Sequence, residues 1–169
     1  MFDDFKKLLS AFNDHSVKYL VVGGYAVSFH AQPRATKDLD LFIKPDAANA
    51  QAAYAALATF GAPLTDIAVD DLADPRKFIR FGREPVAVDI FSGIDGVDFD
   101  TAWARRVEGV IDAKSGLTTF FISKSDLIAS KLAAGRLRDL ADVEEIRSSD
   151  ASQTTGEEAN PSSEPEKKG

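Results

Sequence analysis

The chain has 169 residues and no cysteine, which excludes a disulfide framework and any thiolate metal site. Its hydrophobic share of 44% and charged share of 28% fit one globular domain with a core of its own. The net charge of −7 argues against broad, non-specific binding to nucleic acid, which needs many Lys and Arg contacts to phosphate. A local basic pocket is compatible with that charge.

Phe2, Phe5, Leu8, Leu9 and Phe12 recur at helical spacing, so the chain opens on an amphipathic helix. The charged start, Met1 to Lys7, is followed by no apolar stretch of signal-peptide length, and a cytoplasmic domain is the expectation. Residues 17–22 form a β-rich run that ends at Gly23-Gly24 and is far too short to span a bilayer. A short helix over 25–30 follows, broken by Pro33, and residues 37–43 read as the next strand.

Pro45-Asp46 opens an alanine-rich helix that Gly61 stops. Residues 77–81 and 86–91 are strands joined through Gly82-Arg83-Glu84-Pro85, hence a hairpin. Two more strands are expected over 107–111 and 118–122. Ser123 and Asp126 have capping-box spacing before a helix through Lys131 and Leu132, and Gly135 separates it from a last helix over 136–147. Trp103 and the phenylalanines are assigned to the core. Strands and helices mix without strict βαβ alternation, so the class is α+β with a mixed sheet. Residues 1–147 make the folded domain. Residues 148–169 are polar, with no aliphatic side chain larger than alanine, and are expected to form a disordered tail.

The most informative stretch is Lys37-Asp38-Leu39-Asp40-Leu41-Phe42-Ile43. Alternate residues of a strand share a face, so Asp38, Asp40 and Phe42 point one way while Leu39, Leu41 and Ile43 face the core. Neighbouring carboxylates repel unless a cation lies between them, and Mg²⁺ suits one or two carboxylates completed by phosphate and water. Val86-Ala87-Val88-Asp89-Ile90-Phe91 repeats the pattern with Asp89 on the polar face. If the two strands are close, three carboxylates converge, an arrangement suited to two ions about 3.5–4 Å apart and displacement at phosphorus. On pattern alone, Asp38 and Asp40 could equally be solvated residues of an exposed sheet face. Upstream, Gly23-Gly24 lies where a strand meets a helix, and bare N–H groups there can receive phosphate oxygens.

Gly23-Gly24-Tyr25-Ala26, then Arg34-Ala35-Thr36-Lys37-Asp38-Leu39-Asp40-Leu41-Phe42, then Asp89 on a later strand, resemble the signature of DNA polymerase β-type nucleotidyltransferases. The Arg-x-Thr-x-Asp-x-Asp variant is similar to abortive-infection-type toxins, their uncharacterised bacterial relatives and the small antibiotic nucleotidyltransferases. The run from Lys131 to Val143 resembles the closing helices of the bacterial members. The likeness covers residues 19–146.

The resemblance implies a nucleotidyltransferase fold with a C-terminal helical pair. It implies transfer of an NMP from an NTP such as ATP, with Mg²⁺ or Mn²⁺ on Asp38, Asp40 and Asp89 and the triphosphate on Gly23 and Gly24. Lys131 matches a C-terminal lysine that contacts triphosphate in the toxin-like relatives. Arg34 lies within reach of the same phosphates, or else pairs with a nearby acid, and Thr36 is assigned to capping the loop. Gly24 stands where many members carry serine. The implied acceptor is an RNA such as tRNA, a protein or a small molecule, in a toxin–antitoxin-like setting, with a partner protein or a homodimer and no membrane. The rival reading is a degenerate module that binds nucleotide or a partner without turnover.

Overall fold

The computed structural model describes residues 1–83 and 85–154. Helix α1 (Asp3–Asp14) buries Phe5, Leu8, Leu9 and Phe12 completely, the stripe its periodicity requires. All four residues of β1 (Tyr19–Val22) are buried, and Gly23 turns the chain directly into α2 (Gly23–His30), two residues before the expected start. Strand β2 (Asp38–Ile43) follows. Helix α3 (Ala47–Phe60) begins where the Asp46 carboxylate accepts the Asn49 N–H at 2.8 Å and ends at Gly61, whose φ of 89° closes the turn.

Two short helices, α4 (Val69–Ala73) and α5 (Phe99–Ala104), flank the hairpin of β3 (Phe78–Arg83) and β4 (Val86–Phe91). Neither short helix was expected. Strands β5 (Val107–Asp112) and β6 (Leu117–Phe121) form a second hairpin. Helix α6 (Lys124–Ala134) starts on Ser123, whose Oγ accepts the Asp126 N–H at 3.1 Å, and stops at Gly135. Helix α7 (Leu137–Thr154) closes the fold.

The six strands make one mixed sheet in the order β3-β4-β2-β1-β6-β5. β1 is antiparallel to β2 and parallel to β6, while β2 is parallel to β4, so β2 and β4 are immediate neighbours. Leu39, Leu41, Ile43, Val88 and Ile90 join one hydrophobic cluster with side chains of α1 and α3. Truncating a core leucine of this kind costs roughly 2–5 kcal/mol, so the strands that carry the aspartates are firmly held on their apolar side. On the carboxylate side Phe42 is buried against Phe99 of α5, ring centroids 5.0 Å apart. Trp103 is only half buried, packed on Phe99 and Phe120 with Arg106 over its ring.

The last helix runs past its expected end at 147, on to Thr154. Ser148 and Ser149 donate their hydroxyls back to Glu144 O and Ile146 O, and Ser149 also reaches His30 O at 3.1 Å. Buried Val143 and Ile146 anchor the helix, and extending an existing helix costs far less than nucleating one. The rest of the expected tail, 155–169, lies outside the described residues. Among those described, no helix is long and apolar enough to cross a membrane.

Candidate active site

β2 and β4 run parallel with Asp40 opposite Asp89 and Asp38 opposite Ala87. Strands so paired lie about 4.8 Å apart, so the three aspartates project from a single small area of the sheet. Asp89 is 7% exposed and its Oδ1 is buried without a hydrogen-bond partner. Burial, then the charges of Asp89 and Asp38, push the Asp40 carboxyl up to about 6, against the opposing N–H of Gly24 and the Lys131 charge. Asp89 is also raised, by burial first; the Arg80 charge opposes this and the Asp38 charge adds to it.

The glycines sit against this cluster for steric reasons. Gly23 has φ +60°, and a Cβ there would stand 1.9 Å from Asp40 Oδ2. At Gly24 a Cβ would meet the Thr36 hydroxyl at 2.6 Å. The space of the absent residue-24 side chain is thus filled by Thr36, whose hydroxyl makes a long bond, 3.4 Å, to Asp38 O. Gly23→Ala is expected to cost about 1–2 kcal/mol of stability through its left-handed backbone and to turn the Asp40 carboxylate aside. Calorimetry should show at least tenfold weaker Mg²⁺–NTP binding; undiminished binding would place the phosphates away from this turn.

A cleft of about 500 Å³ opens in front of the sheet. Gly23, Gly24, Arg34, Thr36, Asp38 and Asp40 line one wall, and Lys131, Arg136, Arg138, Asp139 and Asp142, from the C-terminal helices and the link between them, line the other. Asp89 is not part of this lining. Arg34 and Lys131 both line this cleft, but both are tied to Asp142, a residue that sequence patterning did not single out. Arg34 forks onto Asp142 with Nη1 at 2.5 Å and Nη2 at 3.3 Å, and Lys131 Nζ donates to it at 2.6 Å. Burial works against the Asp142 charge, but hydrogen bonds from Arg34 and then Lys131 hold its pKa below the usual carboxylate value. Asp139 adds a 3.4 Å contact to Lys131 and lies 3.6 Å from Arg136.

A second residue missed from sequence is Arg80. β3 pairs antiparallel with β4 in a register that sets Arg80 opposite Asp89. Its Nη1 donates to Asp89 Oδ2 at 3.1 Å and its Nη2 to Asp38 Oδ1 at 3.5 Å. As they stand, no three His, Cys, Asp or Glu side chains among the described residues are gathered closely enough to hold a metal ion. The donor chemistry nonetheless suits a hard divalent cation: carboxylate oxygens only, one of them buried without a partner, and one carboxyl whose charge its neighbours disfavour.

The family model "Nucleotidyltransferase of unknown function (DUF6036)" matches residues 1–152. No curated protein matches the chain in sequence. Among solved structures, the lincomycin-bound crystal structure of lincosamide antibiotic adenylyltransferase LnuA is similar, with a TM-score of 0.55 at 16% identity. The match covers 88% of this chain and 97% of that one, and at this identity it speaks for the fold alone.

Proposed function

Because the chain belongs to this nucleotidyltransferase family, we propose that it moves an NMP from an NTP to an acceptor hydroxyl at the Asp38, Asp40 and Asp89 cluster. The observation that carries the reading is the register of β2 and β4, which sets Asp40, on the cleft wall with the glycine turn, directly beside Asp89. Asp38, Asp40 and Asp89 would hold Mg²⁺ or Mn²⁺, which when bound screens triphosphate charge and polarises the α-phosphoryl group.

The chain's own residues supply the remainder. Gly23 and Gly24 let phosphate oxygens approach the backbone N–H groups at the start of α2. Lys131, Arg136 and Arg138 on the opposite wall face the β- and γ-phosphates, with Asp142 and Asp139 fixing Lys131 in place. Arg34 is locked by Asp142 and orients that residue more than it binds phosphate. Asp89, buried and with a raised pKa, takes the proton of the acceptor hydroxyl as its oxygen bonds to the α-phosphorus. The bond from that phosphorus to the bridging oxygen breaks, and pyrophosphate leaves.

The test is incubation with each α-labelled NTP, Mg²⁺ or Mn²⁺, and separately total RNA, cell protein and a pool of hydroxylated small molecules. Label should enter one fraction and disappear with the Asp38→Asn/Asp40→Asn double variant. That variant should also lose metal-dependent nucleotide binding by calorimetry. Nucleotide binding by the wild type without labelling of any fraction would favour a binding module, and binding unchanged in the double variant would move the site elsewhere.

A further inference from the structure

Arg80 lies on β3, the edge strand of the sheet, and faces the carboxylates because its cross-strand partner is Asp89. One guanidinium forks across two strands, with a nitrogen on Asp89 Oδ2 and another on Asp38 Oδ1. These are its only ion pairs among the described residues. The pair is unequal in freedom. The Asp89 side chain is 10% exposed and fixed within the sheet, whereas the Arg80 side chain is 48% exposed and can swing into water from the sheet edge. A long flexible cation therefore neutralises one buried carboxylate held within the sheet and the partly exposed carboxylate of Asp38 beside it.

We propose that Arg80 is a built-in competitor for the divalent cation: it spans Asp38 and Asp89 in the free protein and has to withdraw when the ion binds. The inference rests on the reading of the three aspartates as cation ligands. Mg²⁺ demands ligand oxygens at about 2.0–2.1 Å in near-octahedral order, and an oxygen so engaged has little capacity left for a guanidinium. Arg80 also adds positive charge beside the ion. Free cation should therefore bind the wild type weakly and bind well only when a triphosphate adds negative charge and further oxygens. Arg80 acts here as a positioning residue, keeping the carboxylates paired until the nucleotide complex arrives. A salt bridge that merely stabilised the hairpin would leave metal affinity unmoved.

The discriminating measurement is Mn²⁺ binding to the full, nucleotide-free chain, by calorimetry or by the loss of the free-ion spin-resonance signal. Arg80→Gln should bind Mn²⁺ roughly fivefold to tenfold tighter than the wild type, the scale of one partly exposed charge-assisted contact. Arg80→Lys keeps the charge but cannot fork, and should fall between. Arg83→Gln, on the other face of the same strand, should match the wild type and controls for net charge. With chelator present, Arg80→Gln should melt below the wild type, and saturating Mn²⁺ should narrow or reverse the gap.

Equal or weaker Mn²⁺ binding by Arg80→Gln would overturn the inference while leaving the aspartates as ligands. If Arg80→Gln does not fold, Arg80→Lys decides, and wild-type affinity in that variant overturns the inference. Absence of Mn²⁺ binding in every variant, with and without NTP, would overturn it together with the reading it rests on.

Discussion

Asp89→Asn is expected to bind Mg²⁺–NTP within a few-fold of the wild type and to lose transfer by a hundredfold or more. Asp38 and Asp40 line the cleft and can hold a cation and its triphosphate, so binding survives the change. Asp89 is buried outside that lining, beside Asp40, with one oxygen unpartnered and its pKa raised. An amide there cannot accept the acceptor's proton and carries no charge for the reacting centre. Removing one preorganised group of this kind costs on the order of 3 kcal/mol of transition-state stabilisation, hence the hundredfold. The effect should fall on kcat with little change in KM for the NTP. Wild-type turnover in Asp89→Asn would remove the residue from the chemistry. A rise in KM alone would make it a binding residue.

The carboxylate pairs were legible because strand alternation is a local property. Apolar residues at 39, 41, 43, 88 and 90 fix which way 38, 40 and 89 must face, and all five are buried as that rule requires. Caps were legible for the same reason, with Asp46 and Ser123 each within three residues of the N–H they accept. Helices α4 and α5 are five and six residues long, too short to show a helical period. Asp142 was beyond reach because its partner Arg34 is 108 residues away and only the packing of α7 brings them together. Arg80 differs: the observed register pairs Arg83 with Val86 and hence Arg80 with Asp89, whereas the expected strand ends at 81 and 86 set Arg80 opposite Ala87. What hid it was the assignment of 82–85 to a loop, where β3 in fact runs to Arg83.

The second large effect runs against activity. Asp40→Asn should stabilise the metal-free protein at pH 8 while abolishing transfer. The Asp40 carboxyl is raised from 3.8 to about 6, chiefly by burial and then by Asp89 and Asp38, so its folded form binds the proton more tightly than the unfolded chain does. Ionised Asp40 therefore penalises the fold. The penalty is absent below about pH 4, grows as pH rises towards the folded value, and is complete above it. A shift of this size corresponds to about 2–3 kcal/mol, or roughly 5–10 °C in melting temperature for a domain of this length. In chelator, the variant should melt above the wild type at pH 8, the gap should close between pH 6 and pH 4, and the two should coincide below that. Adding Mn²⁺ at pH 8 should raise the wild type and leave the variant nearly still, because the cation relieves the repulsion that the amide has already removed. A gap that persists unchanged to pH 4 would mean the gain comes from packing, and a wild type more stable at pH 8 would mean the cluster carries no such strain. Where the gap follows pH as expected, these carboxylates are held together at a cost to the empty fold, and a function that requires their charge is the reason for keeping them.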